Sequence, residues 1–249
     1  MKKNLKTSCI GSIPQIKPIN DQPILLTHYS HHYMFKESLF NLRHEIESDC
    51  KNNNHKVFMV TSCVPHEGKS TTASNIALSL AHKGHKVMLL DFDLRNPTLH
   101  KIFSIGDSLG LIDCLEKNQL NKSYIKIHSE YPNLSLLVSS HASQIPTELL
   151  SQAYVSKLIQ RLKNEYDYII LDTPPIHLMD DTYLIARHAE SMILVLRQDY
   201  LPVAQITESL DRISRMHAPL LGCVINRVES REINTSSKYE VPFSTVRSI

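Results

Sequence analysis

Residues 57–71 read Val57-Phe58-Met59-Val60-Thr61-Ser62-Cys63-Val64-Pro65-His66-Glu67-Gly68-Lys69-Ser70-Thr71. Val57 to Val60 is a short apolar strand, and the turn after it closes on Gly68-Lys69-Ser70-Thr71. A helix follows at once, with Ala73, Ile76, Ala77 and Leu80 at the i, i+3, i+4, i+7 spacing of one apolar face. Strand, turn and helix in this order form the setting that the G-x-x-x-x-G-K-[ST] phosphate-loop pattern requires. Backbone N–H groups of such a loop, with the unpaired N–H groups of the first helical turn, converge on phosphate oxygens and are helped by the helix dipole. Lys69 then reaches the β- and γ-phosphates, and the Ser70 hydroxyl ligates Mg²⁺. Cys63 occupies the position of the first glycine, so the match rests on Gly68 to Thr71 and on its flanks. An ordinary turn containing Gly-Lys-Ser is the plain alternative. The chain has only six glycines, which makes one placed directly before Lys69 hard to ascribe to chance.

Two acidic motifs lie further along. Lys86 to Leu90 is the next strand, and it ends at Asp91-Phe92-Asp93-Leu94-Arg95-Asn96-Pro97. Tyr168-Ile169-Ile170-Leu171-Asp172-Thr173-Pro174-Pro175 is an apolar strand ending in aspartate, the Walker B pattern in which the carboxylate holds Mg²⁺ through its water shell. Ligands of open α/β sheets bind outside the carboxyl ends of the strands, so Asp91, Asp93 and Asp172 fall on the same edge as the phosphate loop. Asp91 and Asp93 could instead cap a turn or the following helix. An apolar strand ending in Asp-x-Asp beside a phosphate loop favours metal or base chemistry. Arg95 has two readings, stabilising phosphate charge or pairing with an acidic neighbour.

Composition bounds the rest. Lys+Arg 27 against Asp+Glu 25 gives a net charge of +2, which does not suggest a nucleic-acid protein. The five cysteines are scattered without a C-x-x-C pair, as expected of reduced thiols in a cytosolic compartment. No apolar run, Ile193 to Leu196 included, is long enough to span a bilayer. The expectation is a cytoplasmic protein that meets the membrane through a partner or its surface.

Residues 1–33, polar and carrying Pro14, Pro18 and Pro23, read as an extended N-terminal arm outside the folded unit. Residues 34–48 are helical, with Phe35, Leu39, Leu42 and Ile46 on one stripe. Gly110 opens a short helix, Leu134 to Val138 is a strand, and a helix runs from Pro146 to about Asn164. Ser191 to Leu196 and Leu221 to Ile225 are further buried strands, with helices at about 182–189 and 202–216. Alternating strands and helices predict an α/β fold, a doubly wound and mainly parallel sheet covered on both faces. The folded domain then spans 34–228, and 229–249 is a mobile tail.

Together these motifs resemble the bacterial tyrosine kinases (BY-kinases) of capsule and exopolysaccharide synthesis, the CpsD/CapB type within the MinD/ParA-like P-loop ATPases. The resemblance covers roughly residues 34–228. It rests on Thr61 to Pro65 with Glu67-Gly68-Lys69-Ser70-Thr71, on Leu90 to Pro97 with Leu99-His100, and on Leu171 to Pro175. Pro146 to Leu150, Asp181, and Leu221-Gly222 to Asn226-Arg227 are weaker echoes. The resemblance implies a kinase that uses ATP and Mg²⁺ to phosphorylate protein tyrosines, those of a neighbouring copy among them. By position, Glu67 to Thr71 line the nucleotide, with Lys69 and Thr71 on phosphates. Ser70, Asp93 and Asp172 hold Mg²⁺ directly or through water, and Asp91 orients or deprotonates the tyrosine hydroxyl. Arg95 and Asn226 complete the nucleotide contacts, Asn226 at the adenine, although a strand-end turn would also account for Asn226. The implied partner is a membrane-embedded polysaccharide co-polymerase, a chain-length adaptor that brings the kinase to the inner face of the membrane.

Three departures accompany the resemblance. His66 stands where a small loop residue is usual. The E-x-x-R-x-x-R helix used in subunit contacts becomes Glu37-x-x-Phe40-x-x-Arg43, which bears on ring assembly. The tyrosine-rich C-terminal cluster is reduced to Tyr239, the one phosphoacceptor candidate beyond Arg227. Rival readings on the same scaffold are a MinD/ParA-like positioning ATPase and a nucleotide-binding regulatory module that transfers no phosphate. The first usually carries a second lysine early in the loop, where this chain has Val64.

Overall fold

The computed structural model describes residues 7–18, 22–177 and 180–229. In chain order the elements are β1 (Cys9–Pro14), α1 (Tyr33–Asn53), β2 (Val57–Ser62), α2 (Lys69–His82), β3 (Val87–Asp91), α3 (Leu99–Ile102), α4 (Leu111–Glu116), β4 (Lys126–Ile127), β5 (Leu134–Leu137), α5 (Pro146–Ser151), α6 (Ala153–Glu165), β6 (Tyr168–Asp172), α7 (Asp181–Ala186), β7 (Ser191–Arg197), α8 (Val203–Ile213) and β8 (Leu220–Val228). The strands form one eight-stranded sheet in the order β1-β8-β7-β2-β6-β3-β5-β4. Every pairing is parallel except that of β4 with β5. The doubly wound α/β expectation is met.

Both faces of the sheet are covered, which is why the inner strands read as unbroken apolar runs rather than alternating ones. Along β2, Phe58 and Val60 face one core with Leu39, Leu42 and Ile46 of α1 and Ile76 and Leu80 of α2. Val57 and Met59 face the other, with α4 to α8 supplying Leu111, Leu149, Leu158, Ile185 and Ile206 among others. The period-2 alternation of strand side chains thus divides one sequence run between two cores.

The structure corrects the reading of the N-terminal arm. Residues 9–14 are extended, but they belong to the sheet: β1 lies parallel to β8, with Cys9 opposite Cys223 and Ile13 opposite Asn226. A Cβ at Gly222 would come within 2.5 Å of Ile10 Cγ2 and 2.7 Å of the Ser8 carbonyl, so glycine there lets β1 approach. Leu25, Leu26 and Tyr29 are buried. Asn75 of α2 fastens this segment by accepting from the Leu26 N–H and donating to the Ile24 carbonyl, both at 2.8 Å. A six-residue edge strand carries too little periodicity to announce itself, and an edge tolerates the Pro14 that would bar a central strand.

The predicted helix from Pro146 to Asn164 is two helices broken at Gln152, whose ψ of 141° is extended. The short α3 and β4 were not anticipated. Tyr239 and residues 230–249 of the expected tail lie outside the described residues.

Candidate active site

β2 delivers the chain to the loop, and α2 begins directly behind it with Gly68 as its N-cap. Gly68 has φ 93° and would place a Cβ 2.1 Å from Asn226 Nδ2, so conformation and space both demand glycine. No side chain caps α2, which leaves its first-turn N–H groups for a ligand. His66, an exposed residue, also takes the left-handed region, with φ 68°. For a residue with a Cβ this costs about 1–2 kcal/mol relative to the right-handed region. The departure at His66 is therefore a local strain in the loop.

Parallel pairing brings the acidic motifs to the same edge. β6 lies between β2 and β3, with Val60 opposite Asp172 and Asp91 opposite Asp172. Lys69 Nζ sits 3.0 Å from Asp93 Oδ2, 3.7 Å from Asp172 Oδ1 and 3.1 Å from Ser70 Oγ. Asp172 is fully buried, and neither of its oxygens accepts a hydrogen bond among the described residues. Burial pushes its carboxyl up to about 6, against the pull of Lys69. Asp91, equally buried, is pushed up first by burial and then by the charge of Asp172. Its Oδ2 accepts from the N–H groups of Thr98 and Leu99, both at 2.9 Å, while Oδ1 has no partner. Asp91 therefore does cap the turn into α3 and still holds one oxygen free. Burial alone would depress Lys69, but Asp172 and Asp93 outweigh it and hold the ammonium charged.

One lysine among Asp91, Asp93 and Asp172 leaves buried carboxylate oxygens short of positive charge, so the site fits a divalent cation. No group of three or more His, Cys, Asp or Glu among the described residues is arranged to hold a metal alone. Mg²⁺ commonly takes one or two carboxylates and completes its shell with water and substrate phosphates, and Ser70 with Asp172 and Asp93 suits that mode.

The remaining predicted residues divide. Arg95 is the partner of an acidic neighbour: its Nε donates to Asp181 Oδ2 at 2.6 Å, and Asp181 also accepts from Thr147 Oγ1 at 2.7 Å. Arg95 thereby joins the Asp91–Pro97 turn to α5 and α7. Asn226 lies against the loop, donating through Nδ2 to the Glu67 carbonyl at 2.8 Å. Glu67 is 1 % exposed, and its carboxylate accepts from the N–H groups of Val64 at 2.9 Å and Arg197 at 3.3 Å. Burial raises it to about 7 against those donors. Thr71 lies in the first turn of α2, where its carbonyl accepts from Asn75 Nδ2 at 2.9 Å. In α1, Arg43 donates to the Ser79 carbonyl at 3.1 Å and lies over the Phe40 ring at 4.6 Å. The partners Arg197 and Asn75 were missed in the sequence, where nothing local marks them.

Comparison with known proteins places this geometry. Residues 66–221 match the family model described as an AAA domain. The tyrosine-protein kinase CpsD of Streptococcus agalactiae serotype III is 35% identical over 194 residues, covering 77% of this chain and 82% of that one. The tyrosine-protein kinase YwqD of Bacillus subtilis is 32% identical over 203 residues, covering 82% and 84%. Among solved structures, the chimerical protein CapA2B2 superposes with a TM-score of 0.83 at 27% identity, covering 91% of this chain and 96% of that one. MinD of Pyrococcus horikoshii, in complex with Mg-ADP, shares the fold at a TM-score of 0.60 and 21% identity, over 76% and 74%. The chain belongs to the bacterial tyrosine-protein kinases, a family built on the P-loop ATPase scaffold.

Proposed function

We propose that this chain transfers the γ-phosphoryl group of ATP to protein tyrosines in the service of capsular or exopolysaccharide synthesis and its control of chain length. The carrying observation is the buried pair Asp91 and Asp172, side by side on adjacent strands, with Asp91 Oδ1 and both Asp172 oxygens accepting no hydrogen bond among the described residues and Lys69 Nζ 3.7 Å from Asp172. Phosphoryl transfer depends on positioning and charge neutralisation, and this edge supplies both. The loop N–H groups and Lys69 hold the phosphates, Lys69 exchanging its carboxylate partners for phosphate oxygens. Ser70, Asp93 and Asp172 hold Mg²⁺, which when bound neutralises charge on the phosphates. Asp91, with Oδ1 free and its carboxylate made more basic by burial, accepts the tyrosine proton from its ionised form. Transfer of labelled γ-phosphate to a tyrosine substrate tests the reading. Release to water alone would favour a MinD-like ATPase, and binding without turnover would favour a regulatory module.

The adaptor is part of the same proposal. No helix among the described residues is long and apolar enough to cross a membrane, so contact with the inner face of the membrane would come through a membrane-embedded co-polymerase. Arg43 is engaged by α2 and position 40 is phenylalanine, so self-assembly of the chain relies on that adaptor. A stable, fully active ring of the isolated protein in light scattering would refute this. Tyr239 is our candidate acceptor within the chain. Tyr239→Phe should remove most self-labelling and leave phosphorylation of an added tyrosine substrate intact.

A further inference from the structure

The central strand β2 is flanked on one side by β6 and β3, which carry Asp172 and Asp91, and on the other by β7 and β8. The acidic side explains the chemistry. The other side bonds to the phosphate loop through one residue of the loop itself, Glu67. Its Oε2 accepts from the Val64 N–H within the loop, at 2.9 Å. Its Oε1 accepts from the N–H of Arg197, the last residue of β7, at 3.3 Å. Its carbonyl accepts from Asn226 Nδ2, on β8, at 2.8 Å. The bare Cα of Gly68 leaves the room that Asn226 occupies. A carboxylate buried to 1 % exposure is retained only where donors answer it, and these donors come from the loop and from β7.

We propose that Glu67 is a positioning residue that couples the phosphate loop to the carboxyl ends of β7 and β8, so that Asn226 and the Arg197 end of β7 shape the loop for phosphate instead of acting on the base alone. The proposal deepens the kinase reading and rests on it. Glutamine is the informative replacement at Glu67. Its amide oxygen can accept one of the two backbone N–H groups, but its NH₂ end meets the other as donor against donor. Alanine removes both bonds.

The test uses the full chain and two probes, inorganic pyrophosphate and ADP, each titrated with Mg²⁺ present by calorimetry, with melting temperatures measured alongside. Asn226→Ala and Glu67→Gln should each weaken pyrophosphate by about tenfold, the scale of one lost hydrogen bond in a preorganised site, and Glu67→Ala, which loses two, by about thirtyfold or more. ADP should weaken by the same factors, because the defect lies in the loop. In turnover, KM for ATP should rise by more than kcat falls. Pyrophosphate affinities within twofold of wild type, with only ADP weakened, would assign Asn226 to the base and overturn the coupling. A lowered melting temperature with unchanged affinities would overturn it too, by reducing Glu67 to fold support. Should Glu67→Ala not fold, Glu67→Gln and Asn226→Ala carry the same test. Lys69→Ala is the reference: wild-type binding of pyrophosphate by that variant would overturn the phosphate-loop reading itself, whereas the outcomes above overturn the coupling alone.

Discussion

Acidic side chains near the two ends of the sheet live under opposite conditions. At the amino end, Glu190, just before β7, accepts from the N–H groups of Lys56 at 2.7 Å and Val57 at 3.0 Å where β2 begins, and pairs with Lys163. Before β3, Glu47 holds Lys83 at 2.7 Å and His85 at 3.0 Å. Burial alone would raise both carboxyls, yet these partners outweigh it and both lie below the ordinary range. At the carboxyl end, Asp172 and Asp91 are buried more deeply and answered less, and both are raised. The first pair holds the fold together. The second holds unmet demand for positive charge, and this is what a phosphoryl-transfer site needs before its ligand arrives.

The contrast predicts a graded set of effects. Lys69→Ala should fall furthest, with tyrosine phosphorylation down by about a thousandfold or more when labelled γ-phosphate is followed, because it removes the cation aimed at the phosphates. Asp172→Asn should lose on the order of a hundredfold or more in the same assay through weaker Mg²⁺ binding. The same variant should gain stability, on the order of 1–3 kcal/mol at pH 7.5 without nucleotide, since a buried charge is gone. Loss of stability in urea melts of Asp172→Asn would break the comparison. Glu190→Gln should do the reverse, costing about 1–2 kcal/mol at the same pH while kinetic constants of the folded enzyme stay unchanged.

The smallest effect is a slope. Asp172 is raised from 3.8 to about 6, so its contribution to stability is complete below pH 3.8 and is lost as pH rises through 6. Glu190 is lowered from 4.5, so its contribution is present above that value and lost as pH falls below it. Urea midpoints of wild type compared with Asp172→Asn should converge toward pH 4 and separate by pH 7. Those of wild type compared with Glu190→Gln should separate at pH 7 and converge in acid. Parallel curves in either pair would remove the distinction between the two ends.

The gathering of Lys69, Asp91, Asp93 and Asp172 at one edge was largely readable because it rests on short local patterns. An apolar run that stops at aspartate marks both a buried strand and its carboxyl end, as at Asp91 and Asp172. The wiring between patterns was not readable. Arg95, Thr147 and Asp181 meet from one turn and two separate helices, and Glu67 finds Arg197 and Asn226 only through strand order. The resemblance puts Glu67 among the residues that line the nucleotide, but its burial follows from a topology that no local period encodes. The edge strand β1 was hidden for the same reason, since its partner lies near the other end of the described chain.

That last pairing has a kinetic meaning. β1 finds its template only in β8, the last strand of the sheet, with Cys9 opposite Cys223. Closing so long a loop of chain is a slow, late event in folding. As the ribosome releases the chain, β1 must wait without its strand partner until the other described strands have emerged. Residues 24–26, by contrast, are tied by Asn75 to α2 and, through the Thr71 carbonyl, to the first turn behind the phosphate loop, a pairing that does not need β8. A chain cut short before β8 would carry Asp91, Asp93 and Asp172 yet lack Asn226, the side chain that fastens the Glu67 carbonyl of the phosphate loop.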